Sequence, residues 1–183
     1  MYGVPVFSSR EELLDYAIKQ ANKTGLFIEF GVGCGYSVNY IAERINGIIF
    51  GFDSFLGLPG KWNDYFDVGA FSLQGRPPAC RENVKLVVGL FEETLPKFIK
   101  DYSEPLSFLH IDCDLYSSTK TVFKYLGDRI NSGVIIVFDE YFNVCYWKHN
   151  EFKAFQEFVA ERKILYDYLG YNSKGSQVAV RIR

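Results

Sequence analysis

The sequence predicts an α/β fold, a mostly parallel sheet with helices on both faces. Apolar runs of strand length alternate with stretches of helical period along most of the chain. Acidic residues recur at the ends of those runs, and a parallel sheet gathers such ends on one edge, where its ligands bind. The last two β-rich runs have only a short glycine- and polar-rich connection between them, which makes an antiparallel hairpin. At 183 residues the chain is one domain's worth with a single core.

The pattern is organised around residues 26–35, Leu-Phe-Ile-Glu-Phe-Gly-Val-Gly-Cys-Gly. Large apolar residues followed by three alternating glycines read as a buried strand ending in a tight turn. Without a Cβ, Gly31, Gly33 and Gly35 let a ligand approach the main chain. Before this strand, Ser8 and Ser9 with Glu11 and Glu12 form overlapping capping boxes, opening a helix that runs to about Asn22. After the turn, Val38, Ile41, Ala42 and Ile45 follow the helical period as far as Asn46-Gly47. The free N–H groups of this second helix, and the positive end of its dipole, point at whatever the turn holds.

The next run, 48–52, stops at Asp53. A carboxylate at the tip of the second strand of such a unit accepts hydrogen bonds from a ribose diol. Residues 54–79 carry Gly57, Pro59, Gly60, Gly69, Gly75, Pro77 and Pro78, with Trp62, Tyr65, Phe66 and Phe71 among them. So long a stretch of chain breakers suits a lid or binding loop. A third strand spans 83–88 and stops at Gly89, and a helix covers 92–102. A fourth strand, 106–111, delivers Asp112-Cys113-Asp114; a helix over 119–130 follows. A fifth strand, 134–138, delivers Asp139-Glu140. A helix from His149 to Arg162 precedes the hairpin strands, 164–169 and 177–182.

Apolar residues make up 48 % of the chain and charged residues 23 %, with a formal charge of −2, so a basic footprint for nucleic acid is lacking and a small-molecule partner is expected. No apolar run reaches the length of a membrane span, and Met1 to Arg10 lack the charged-then-apolar character of a signal sequence, so a cytoplasmic location is expected. Self-association is left open. Cys34, Cys80, Cys113 and Cys145 form no Cys-x-x-Cys pair and read as free thiols.

This ordered series resembles the class I S-adenosylmethionine-dependent methyltransferases, a Rossmann-like fold whose seven-stranded sheet ends in such a hairpin. Glu29-x-Gly31-x-Gly33-x-Gly35 is similar to the family's first motif, which passes under the methionine part of the cofactor. Asp53 matches its ribose acid, and Gly89 with Phe91 falls where the adenine pocket lies. Ser37, Ser54 and Asp112 complete the cofactor contacts that the resemblance implies. Closer still, Phe-Asp-Ser-Phe-x-Gly-Leu-Pro at 52–59 and Ile-Asp-x-Asp-Leu-Tyr-x-Ser-Thr at 111–119, followed by Phe-Asp-Glu-Tyr at 138–141, resemble the macrocin O-methyltransferase group. That group methylates sugar hydroxyls of natural products and uses a divalent metal.

The resemblance extends to catechol O-methyltransferase, whose metal acids follow the fourth and fifth strands. This implies a metal set of Asp112, Asp139 and Glu140, with Glu140 in place of the usual Asp or Asn. Two neighbouring strand tips, about 5 Å apart, would each carry a carboxylate, and a cation removes their repulsion. Hard oxygen ligands suit Mg²⁺. Asp112, Asp114 and His149 are the catalytic candidates. His110 is assigned to the core, on the ground that alternation turns it to the face opposite Asp112. Three alternatives stay open: a nicotinamide dehydrogenase, a glycosyltransferase using Asp112-Cys113-Asp114, and a catalytically silent cofactor-binding scaffold.

Overall fold

The computed structural model describes residues 3–183. Its core is one sheet of eight strands in the order β1-β7-β8-β6-β5-β2-β3-β4, where β1 is Val6–Phe7, β2 Leu26–Phe30, β3 Ile49–Asp53, β4 Val84–Val88, β5 Leu106–Ile111, β6 Ile135–Phe138, β7 Tyr166–Asn172 and β8 Val178–Ile182. Neighbours are parallel throughout except at β8, which runs antiparallel to both β6 and β7. The sheet is thus mostly parallel and closes on the expected hairpin.

Seven strands were expected and eight are present. The additional one, β1, pairs in parallel with β7 over two residues, too short to show any periodicity in the sequence.

Five helices cover the two faces: α1 Arg10–Gln20, α2 Tyr36–Arg44, α3 Phe91–Asp101, α4 Tyr116–Leu126 and α5 Glu151–Arg162. Helices α1 and α2 bury Leu13, Leu14, Ala17, Val38 and Ile41 against one face of the sheet. Helices α3, α4 and α5 bury Leu95, Phe98, Val122, Phe123, Phe155 and Phe158 against the other. Capping fixes the start of α1: Ser9 Oγ accepts from the Glu12 N–H at 3.1 Å, and the Glu12 carboxylate accepts from the Ser8 N–H at 2.9 Å. Helix α5 begins two residues after His149, which closes a short 3₁₀ turn, Trp147–His149.

The topology places the site. Strand β2 lies between β3 and β5, so the connections leaving β2 and β5 diverge, and a crevice opens at their carboxyl ends. Register pairs Glu29 with His110, and Ile111 with Phe138. Pairing continues past the strand ends, with Asp112 N donating to Phe30 O and Asp139 N donating to Ile111 O, both at 2.9 Å. The acids that follow β5 and β6 are therefore held side by side.

Candidate active site

The glycine turn and Asp53 form one wall of a cavity of about 520 Å³. Gly31 has φ +92°, and a Cβ there would sit 1.7 Å from Asp112 O, so only glycine permits β2 and β5 to approach at this point. Gly33, at φ +50°, faces open space: a Cβ on it would meet nothing within 4 Å. Asp53 braces the turn, its Oδ2 accepting from the N–H groups of Val32 at 2.9 Å and Gly33 at 2.8 Å, while Oδ1 accepts from Phe55 N–H at 2.7 Å. Gly33, Ser37, Asp53, Ser54, Gly89 and Phe91 all line the cavity.

Glu29 does not line it. Its side chain is fully buried behind the turn, accepting from Ser37 Oγ at 2.9 Å and paired with His110 Nδ1 at 3.2 Å, so it can act on a ligand only through those partners. Gly35 also lies outside the cavity; it carries the left-handed turn that starts α2.

The same cavity has an acidic wall, with Asp112, Asp114 and Glu140 lining it. Ligand atoms of His110, Asp112 and Asp139 all lie within 4.8 Å of one another. The core expectation for His110 holds for its burial but not for its facing: it lies two positions before Asp112, so alternation puts both on the same face. It is buried, but among charges. Burial works against its protonation, yet Asp139 at 3.8 Å and Glu29 outweigh that and lift the imidazole to about 10.

Burial likewise opposes ionisation of Asp139, but His110, Arg10 and Gln177 Nε2 at 3.1 Å hold its carboxyl below the usual range. Asp112 and Glu140 are pushed the other way, first by burial and then by neighbouring carboxylates. Burial and the charges of Asp139 and Asp53 lift Asp114 to about 7. Asp114 also holds a left-handed backbone, φ +60°, which a non-glycine residue adopts at a cost and which is a feature of functional sites. Of the acid set expected to converge, Asp112 and Asp139 are brought together, with His110 as the third member of the group; Glu140 lines the same cavity as Asp112 but lies outside that group. Glu140 Oε2 is buried there without a hydrogen-bond partner.

His149 is not part of this wall. It is exposed, outside the cavity, and α5 begins beyond it, so its assignment to the catalytic set is withdrawn. The buried acid at the start of that helix is Glu151. Its Oε1 accepts from Cys113 N–H at 3.3 Å and its Oε2 from Glu140 N–H at 3.1 Å, so one carboxylate ties together the loops after β5 and β6. Burial lifts it to about 8 against the pull of those two bonds.

Arg10 was likewise missed. It is the only Lys or Arg among the described residues lining the cavity, and its Nη1 lies 3.2 Å from Asp139 Oδ1 and 3.7 Å from Asp112 Oδ2. Of the loop aromatics, Trp62 and Phe71 line the cavity and pack with Phe66, whereas Tyr65 is 83 % exposed and turned away. Tyr146 OH donates to Asp64 at 3.2 Å, joining this loop to the one after β6.

The family model for macrocin-O-methyltransferase (TylF) matches residues 79–170, about half of the chain, a span that includes every acid of the acidic wall. The chain belongs to the macrocin-O-methyltransferase family. Among solved structures it is similar to CalS11, a calicheamicin methyltransferase, at 22 % identity and TM-score 0.75, covering 93 % of this chain and 77 % of that one. It is similar to the O-methyltransferase NovP at 20 % identity and TM-score 0.69, over 94 % and 78 %. An O-methyltransferase from Bacillus cereus, solved with SAH, matches at 16 % identity and TM-score 0.61, over 98 % and 83 %. At these identities the likeness is one of fold. No curated protein matches the chain. Among the described residues, no helix is long and apolar enough to cross a membrane.

Proposed function

We propose that this macrocin-O-methyltransferase family member transfers the methyl group of S-adenosylmethionine to a hydroxyl of a small molecule, a sugar or related natural product, with help from a divalent cation. The observation that carries the reading is a single cavity lined both by the braced glycine turn and by the carboxylates Asp112, Asp114 and Glu140. S-adenosylmethionine supplies a methyl already activated by a sulfonium, so the protein's task is chiefly to align an acceptor and take its proton. Alignment of this kind can be worth effective molarities of roughly 10⁵ to 10⁸ M.

In this reading the turn from Gly31 to Gly33, with Ser37 behind it, carries the methionine end of the cofactor. Asp53 and Ser54 face the ribose, and Gly89 and Phe91 the adenine. Trp62, Phe71, Leu58 and Pro59 shield the reacting atoms from water. Asp114, lifted to about 7, accepts the acceptor's proton, since a base works best when its pKa is close to the working pH.

The donor set fits a hard divalent cation. Asp112 and Asp139 lie close together, and Glu140 Oε2 is buried with no partner of its own. All three offer the oxygen ligands that Mg²⁺ prefers. A cation held by them would supply Lewis acidity toward the acceptor oxygen, making its proton easier to remove.

The test is a screen of sugar and phenolic metabolites for uptake of a labelled methyl from S-adenosylmethionine. Each positive is repeated with excess EDTA, with Mg²⁺ restored, and with Asp114→Asn. Methyl transfer that stops on chelation, returns with Mg²⁺ and falls at least about a hundredfold in the variant agrees with the proposal. Turnover indifferent to EDTA removes the metal, and turnover indifferent to Asp114→Asn removes the base.

A further inference from the structure

The acidic wall already contains a cation of the chain's own. Arg10 opens α1, and its Nη1 lies 3.2 Å from Asp139 Oδ1 and 3.7 Å from Asp112 Oδ2, so one nitrogen sits between two carboxylates. Those carboxylates come within 4.8 Å of each other and of a His110 nitrogen, a space that one cation fills. Outside this cluster, Glu140 Oε2 on the same cavity remains buried and unpartnered.

The guanidinium is also loosely held. Among the described residues its one other contact of this kind is the face of the Tyr36 ring, 5.3 Å away on the cavity side, and 26 % of its side chain is exposed. A long, flexible stem beside an open cavity gives it somewhere to go.

We propose that Arg10 is a displaceable counter-ion: it fills the place between Asp112 and Asp139 in the cation-free protein and is pushed out when a divalent cation binds. This rests on the metal part of the function proposed above. The physical case is one of charge and reach. Two carboxylates at this separation repel, and the Arg10 guanidinium on the cavity side, with the His110 imidazole behind, offsets that repulsion without metal. A divalent cation carries twice the charge and can draw in Glu140 as well. The two cannot share the site, because hard-cation coordination at about 2.0 to 2.6 Å leaves no room for a nitrogen between the same oxygens. Cation affinity is then set by the work of expelling Arg10, and the freed guanidinium moves toward Tyr36 and the glycine turn.

The experiment is titration of wild type, Arg10→Met and Arg10→Lys with MnCl₂, without cofactor or acceptor. Binding is followed by calorimetry and by the electron paramagnetic resonance signal of free Mn²⁺. Methionine keeps part of the apolar stem and removes a unit charge from within 4 Å of both ligands, so Arg10→Met should bind Mn²⁺ at least about tenfold more tightly than wild type. Arg10→Lys keeps the charge but loses the planar fork, and should fall between the two. It also carries the comparison if Arg10→Met folds poorly without metal. Equal Mn²⁺ affinity in wild type and both variants overturns the counter-ion proposal and leaves the metal reading standing. Absence of Mn²⁺ binding in all three overturns both.

Discussion

Replacing Asp53 with alanine should destabilise the fold and loosen the cofactor wall together. The carboxylate accepts three backbone N–H groups, from Val32, Gly33 and Phe55, at 2.9, 2.8 and 2.7 Å. Hydrogen bonds to a charged group contribute about 1.5 to 3 kcal/mol each when buried. Asp53 is half-buried, so water can take over part of the lost acceptor, and a discounted total of about 2 to 4 kcal/mol is expected for Asp53→Ala. For a chain of this size that corresponds to a fall in melting temperature of roughly 5 to 15 °C. Asp53→Asn keeps one acceptor oxygen and should lose about half as much. The assay is urea unfolding at fixed pH, with the slope compared as well as the midpoint, alongside calorimetry with S-adenosylhomocysteine. If Asp53→Ala unfolds within about 0.5 kcal/mol of wild type, Asp53 does not brace the turn and the reasoning fails.

Two further outcomes follow from the acidic wall. Glu151→Ala removes the acceptor shared by Cys113 N–H and Glu140 N–H, and should lower kcat about tenfold or more while changing the cofactor's KM little, with Glu151→Gln milder; steady-state kinetics on the first acceptor found would check it, and an unchanged kcat would contradict it. Stability without cation should fall as pH rises. His110, raised from 6.5 to about 10, contributes stability that is fully present below pH 6.5 and lost toward pH 10. Asp114, raised from 3.8 to about 7, keeps in the native state a proton that the unfolded chain releases, so stability also declines between those values. Asp139 acts oppositely, its contribution being lost as pH drops below 3.8. Urea midpoints measured from pH 4 to 10 should therefore decline across the range, through Asp114 up to about pH 7 and through His110 from pH 6.5 to about 10, and a flat or rising profile would contradict these assignments.

The parts of this structure that were legible in the sequence are those set by local pattern. Residues 26–35 announced a buried strand and a turn because apolar residues and glycines each carry a local signal, and both hold at Leu26–Phe30 and Gly31. The acids at Asp112 and Asp139 could be placed together because strand length and the parallel connection leave little freedom of register, and Ile111 does pair with Phe138.

What escaped depends on contacts between distant residues. Arg10 and Asp139 are 129 positions apart, and an arginine just after a capping serine looks like any first-turn residue. A weak signal existed for Glu151, an acid opening a helix with an apolar stripe, but only tertiary packing shows that it is fully buried, with two loops to tie. His149 was favoured because the pattern has it open a helix after Tyr146-Trp147, at the mouth of the site, whereas the helix begins beyond it and leaves it exposed. The role of Asp53 toward the turn's own N–H groups was also hidden, since an acid at a strand end serves a ligand or a backbone equally well by pattern.

Calorimetric titration with S-adenosylmethionine, S-adenosylhomocysteine and NAD⁺ tests most directly whether the cavity is a S-adenosylmethionine site. One equivalent of either sulfur nucleoside should bind, NAD⁺ should give no heat, and Asp53→Ala should weaken the binding about tenfold or more. Heat from NAD⁺ with none from the sulfur nucleosides would contradict the account.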